Sequence, residues 1–242
     1  MPLFVSEHYD LNSKKVMQFV FDEYVRIFKS PELKKNIAVV HWNQEYALTA
    51  PKRLNPNQQE DYVIYLEAAN SYWCQIIYQF AHEMSHLIMK CYPEEIRYKW
   101  ISECFCAAAS LYMLELSKQY FRMQCQSYVS AVQGYLQSHI KKSCLPEHIK
   151  IGRYIQEHIK ELEVDPTEDG KRERVRNDII AVSLYNMIIK NEEGWKAVEL
   201  FENINNIGCV GSIDFIQRWR DLCRNGNEEA FVDGFLFMNK NE

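Results

Sequence analysis

The sequence predicts an α+β protein that is mostly α, with a small antiparallel strand region near its start and a helical C-terminal half. Three observations carry this. Apolar residues recur at helical spacing through almost the whole chain after residue 70. Only two short β-branched and aromatic runs occur, NIAVVHW (36–42) and YVIYLEA (62–68), and the stretch TAPKRLNPNQQED that leads up to the second has two prolines and the polar residues of a loop.

Residues 12–29 place Val16, Phe19, Val20, Tyr24 and Ile27 on one side of a helix that must end before Pro31. The two strand-like runs follow. Asn70 and Ser71 then offer an N-cap for a long apolar run through Ile88, which stops before Pro93. Helical patterns continue at 96–120, 121–141, 147–163, 174–190, 194–203, 212–223 and 228–235. The segment VDPTEDGKRER (164–174) combines Pro, Gly and a charge run, so the expected organisation is a first domain over 1–163, a linker over 164–176 and a helical subdomain over 177–242. Lys171, Arg172, Arg174 and Arg176 are interleaved with Glu173 and Asp178, which reads as a solvated linker.

With 242 residues, 47% of them hydrophobic, the chain can bury a sizeable core. A net charge of -5 and the lack of a basic tract argue against nucleic acid as a partner. The start, MPLFVSEHYDLNSKK, has no basic segment followed by an apolar run, and nowhere do eighteen apolar residues stand together. Neither secretion nor membrane insertion is expected. The eight cysteines form no regular framework and contain no CxxC pair, so reduced thiols in a cytoplasmic protein are expected. Cys104 and Cys106, two apart, fall on nearly opposite faces of a helix and do not make a zinc knuckle by themselves.

Within YQFAHEMSHLIMK (78–90), His82, Glu83 and His86 interrupt an apolar run. Residues four apart on a helix lie about 40° apart around its axis and one turn along it, so His82 and His86 can share one Zn2+. Glu83, rotated by about 100°, stays out of the ligand set but can reach a water beside the ion as general base. The pattern is H-E-x-x-H, and its uncharged flanks predict a buried helix. The extended pattern HExxHxxGxxH is excluded by Met89 and Tyr92. Glu94, Glu95 and Glu103 are the downstream carboxylates, and Glu103, on a second helix long enough to return alongside the first, is the geometric choice for the third ligand.

HEMSH followed by Glu103 in the block WISECFCAAASL resembles the gluzincin class of zinc metallopeptidases, especially its minimal members, and is similar to uncharacterised bacterial HExxH proteins. The resemblance covers residues 60–115. It implies a zincin-like catalytic domain in which His82, His86 and Glu103 bind zinc, Glu83 is the base and a peptide or protein is hydrolysed. The usual Glu-Ala-Asn opening of the second block is here Glu103-Cys104-Phe105. Two other classes stand beside the peptidase: a zinc-binding regulatory or scaffold protein without hydrolysis, and a metal-free helical interaction module. Tyr92 and Tyr98 are candidate oxyanion donors for which packing is the commoner role, and the strand Tyr62–Leu66 offers an edge for an extended peptide.

Overall fold

In the computed structural model, residues 3–42, 48–51, 61–90, 98–143, 145, 150–163, 170–207 and 209–236 are described. The chain begins β1 (Leu3–Val5), α1 (Leu11–Ile27), β2 (Ile37–His41), β3 (Leu48–Pro51), β4 (Tyr62–Leu66), α2 (Trp73–Met89) and α3 (Lys99–Gln124). It continues through α4 (Val129–Lys142), α5 (Ile151–Leu162), α6 (Gly170–Lys190), α7 (Glu192–Trp195), α8 (Phe201–Ile207), α9 (Ser212–Leu222) and α10 (Gly226–Leu236). The mostly helical reading holds. No helix among the described residues is long and apolar enough to cross a membrane.

The strand region differs from the antiparallel pair expected. β1, β2 and β4 run parallel, with Ile37 opposite Tyr62 and His41 opposite Leu66, and β3 pairs antiparallel with β4 in the order β1-β2-β4-β3. The reason lies in the intervening segment. β3 occupies what reads as loop, and because it turns back on the outside, β4 is inserted between β2 and β3. Pro51 has no N–H to give a ladder and fits only at an edge, which is where it stands. β1 and β2 are joined through α1, a crossover long enough for parallel pairing.

β4 is therefore an interior strand, buried on both faces at Tyr62, Val63, Ile64 and Leu66. Both of its edges are paired, so the expected peptide-binding edge of this strand does not exist.

The chain folds as two compact units, Met1–Ile88 with Ala109–Leu136, and Met89–Ala108 with Gln137–Glu242. The division passes through α2 and α3, each of which is a continuous helix. In the first unit Asp10 caps α1, accepting from Ser13 N at 2.7 Å. The buried face of α1 is Val16, Met17, Val20, Phe21, Tyr24 and Ile27; Phe19 instead stacks half-buried on Tyr120 of α3 at 4.7 Å. Asn70, expected as an N-cap, uses its amide to accept from Asp10 N and donate to His8 O. The first bond of α2 runs from Ile76 N to Tyr72 O, so Tyr72 takes the capping position, after Ser71 at φ 71°.

The second unit is built on the first half of α3. Phe105 meets Phe201, Trp219, Phe231 and Phe235 at ring distances of 5.3 to 6.2 Å. Trp100 Nε1 donates to Ser212 Oγ at 2.9 Å and the Tyr98 hydroxyl to Cys209 O at 2.8 Å. Of the expected linker, 164–169 lie outside the described residues, and 170–176 form the first turns of α6, where Arg176 pairs with Glu161 at 3.1 Å. Arg, Lys and Glu are good helix formers, so a charge run can be helix as readily as loop.

Gly194, in α7, is packed so tightly that a Cβ would meet Asn227 O at 2.5 Å and Phe231 Cβ at 2.6 Å. Neither atom can move cheaply. Gly194→Ala should lower stability by about 1–3 kcal/mol in chemical denaturation, as overpacked cores do; an unchanged midpoint would refute this packing.

Candidate metal centre

α2 is a helix whose sides are almost all inside the protein. Ile76, Ile77, Phe80, Ala81, Met84 and Leu87 are fully buried, so the helix is held by apolar burial far more than by helix propensity. Three anchors set its rotation. Gln79 accepts from Ala68 N at 2.9 Å, tying the helix to the end of β4. The Ser110 hydroxyl of α3 donates to Tyr78 O at 2.8 Å, which requires the two helices to approach closely there. Finally, the Tyr24 hydroxyl of α1 lies 2.6 Å from both Ala81 O and Ser85 Oγ, while Ser85 Oγ is 3.0 Å from that same carbonyl. Two hydroxyl protons serve these three contacts.

These anchors surround the motif. Ala81 and Ser85 flank His82, Glu83 and His86, and the two imidazole rings lie 5.0 Å apart at an interplanar angle of 67°. Glu83 and His86 are each 4% exposed, and His82 is half-buried. A carboxylate and an imidazole in such an interior are costly to desolvate and call for charged or hydrogen-bonding compensation.

Two imidazoles one turn apart on a single helix are donors that zinc favours, so His82 and His86 fit the ion.

Glu103, the sequence-based choice for the third ligand, is half-buried on α3 and belongs to the other compact unit from His82 and His86. Glu94, Glu95, Tyr92 and His148 lie outside the described residues. The Tyr98 hydroxyl is engaged with Cys209 O.

The remaining histidines and the aromatic stripe have local roles. His41 stacks on His8 at 4.1 Å, His158 bonds Glu161, and burial, with Lys142 adding to it, lowers the pKa of His139. Trp73 packs on Phe121 and Tyr128, and Tyr78 meets Tyr135 edge-on at 6.3 Å. Burial raises the pKa of Cys74 and Tyr135, so the side chains beside the N-terminal half of α2 stay neutral.

Compared with known proteins, the chain matches no family model, no curated protein and no solved structure. The site must be read from its own chemistry.

Removing the Tyr24 hydroxyl tests how α2 is held. Tyr24→Phe should cost about 1–2 kcal/mol of stability in urea denaturation, the range for a buried hydrogen bond whose remaining partners can still pair with each other. A loss below the error of the fit would mean that this hydroxyl does not anchor the helix.

Proposed function

We propose that this protein is a zinc-dependent metallopeptidase, in which His82 and His86 hold the ion and Glu83 is the general base. One observation carries the reading: a buried carboxylate, Glu83, shares a helix turn with two imidazoles whose rings are 5.0 Å apart. A zinc ion held there would polarise a scissile carbonyl and make water acidic enough to attack it near neutral pH.

The chain's own residues do the rest. Glu83 follows His82 directly, so it projects from α2 about 100° around the axis from His82 and about 60° from His86, beside the imidazoles. It accepts a proton from the attacking water and delivers it to the departing amine nitrogen, which leaves Glu83 ionised for the next cycle. His82, half-buried, is the ligand nearest solvent, and His86 is the deeper one. Ser85 and Tyr24 hold the turn of α2 that carries these groups. A peptide or protein is the substrate class this chemistry serves.

A zinc-binding scaffold or regulatory protein without hydrolysis would use the same two imidazoles. Such a site has no use for a general base, and Glu83 speaks for the peptidase.

Elemental analysis of protein offered zinc should find close to one ion per chain, lost in His82→Ala and in His86→Ala. A wild type that stays zinc-free overturns both readings. Glu83→Gln should keep the zinc while cleavage of a mixed peptide library falls at least about a hundredfold, the upper part of what a general base supplies being larger still. Equal cleavage by wild type and variant would remove Glu83 from the mechanism, and a zinc-loaded wild type that cleaves nothing would favour the scaffold.

A further inference from the structure

Independently of the zinc reading, we propose that Asn225–Gly226, at the start of α10, is a site of spontaneous deamidation held in check by the helix cap that Asn225 forms. It is the one place in the chain where asparagine is followed by glycine. Glycine has no Cβ to keep its nitrogen away from the preceding side chain. Both residues are exposed, and a Cβ built on Gly226 would meet nothing within 4 Å, so water and base reach the bond. Gly226 is also the first residue of α10, and a backbone N–H in the first turn has no carbonyl of its own helix to bond. Attack by that nitrogen sacrifices no helical hydrogen bond.

The step balances with water as the only co-reactant. Gly226 N gives up its proton and bonds to Asn225 Cγ; the Cγ–Nδ2 bond breaks, and ammonia leaves with that proton, giving a cyclic imide. Water then opens the ring. Opening at Cγ gives aspartate on an ordinary backbone, and opening at the backbone carbonyl carbon gives isoaspartate, in which the chain runs on through Cβ and Cγ. Either product carries one negative charge where the amide had none.

The fold opposes the first bond. Asn225 Oδ1 accepts from Asn227 N at 3.0 Å and from Glu228 N at 3.1 Å, while its backbone carbonyl accepts from Glu229 N at 3.0 Å, so the residue is the N-cap of α10. A side-chain amide pinned through its oxygen to those two nitrogens has to leave the cap before its face turns to Gly226 N. The two products then differ. Aspartate caps a helix as well as asparagine does. Isoaspartate adds a methylene to the backbone and moves the carbonyl, so the cap and the first helical bond cannot both re-form. The start of α10 depends on that register: Glu228, 1% exposed, accepts from Arg224 N at 2.7 Å and from the Arg224 guanidinium at 2.7 Å, Asn191 Nδ2 donates to Asn227 O at 2.9 Å, and Phe231 and Phe235 are buried beside Phe105. Isoaspartate formation turns a transient opening of this turn into a lasting one.

Peptide mapping by mass spectrometry reads the site in the full-length protein, aged at mildly alkaline pH with and without denaturing guanidinium chloride. The wild type should convert Asn225 to aspartate and isoaspartate in both, the folded chain at least about fivefold more slowly, the factor an N-cap is typically worth. Gly226→Ala, whose Cβ has open space, should stay folded and convert several-fold more slowly than wild type in denaturant, where no cap exists. Asn225→Asp should unfold at the wild-type urea midpoint, and the isolated isoaspartate form at a lower one. A folded chain that shows no conversion at Asn225 overturns the site. Equal rates with and without denaturant overturn the control by the cap, and undiminished conversion in Gly226→Ala overturns the imide route. An isoaspartate form that unfolds with the wild type overturns the lasting opening of α10.

Discussion

The rest of the structure depends on the burial of α2. Its apolar residues are inside on nearly every side, yet it carries His82, Glu83 and His86 in the same stretch. Burying an imidazole and a carboxylate costs several kcal/mol unless hydrogen bonds or an opposite charge compensate, and a cation at the proposed site would be one such compensation. The surrounding contacts fix α2: the Tyr24 and Ser85 hydroxyls on the turn of the motif, Gln79 on the end of β4 and Ser110 on Tyr78 all hold the helix in one rotation.

α3 is the second fixed body. Its first half is gripped by the aromatic side chains of α8, α9 and α10 around Phe105, and its middle is hydrogen-bonded to α2 through Ser110. The core of the helical C-terminal half thus contains a residue of α3, which its composition does not announce. Trp100 and Tyr98, bonded to Ser212 and Cys209, pin the start of the same helix.

Much of the candidate site was legible in the sequence, and particular residues show why. His82 and His86 are four apart on one helix, and a helix converts that spacing into geometry without help from the rest of the chain. What holds that helix was not legible, because the bonds of Tyr24 to Ala81 O and of Ser110 to Tyr78 O join segments far apart in the chain, which no local pattern encodes. The sheet divides in the same way. The strand character of Ile37–His41 and Tyr62–Leu66 follows from their β-branched and aromatic residues, but their parallel pairing depends on β3, four residues with Ala and Pro among them that carry almost no strand signal. With β3 unseen, a hairpin-like antiparallel pair was the natural expectation.

By itself, then, the sequence determined the mostly helical class, the two principal strands, the buried helix with its H-E-x-x-H spacing and the termination of α1 before Pro31, because each rests on period, composition or backbone sterics within a few residues. Only the tertiary structure decided the strand order β1-β2-β4-β3, the loss of a free edge on β4 and Tyr72 rather than Asn70 at the start of α2. Each of these depends on contacts between segments far apart in the chain. Such contacts are chosen by shape and burial across the whole core, and a local pattern compatible with several partners cannot select among them.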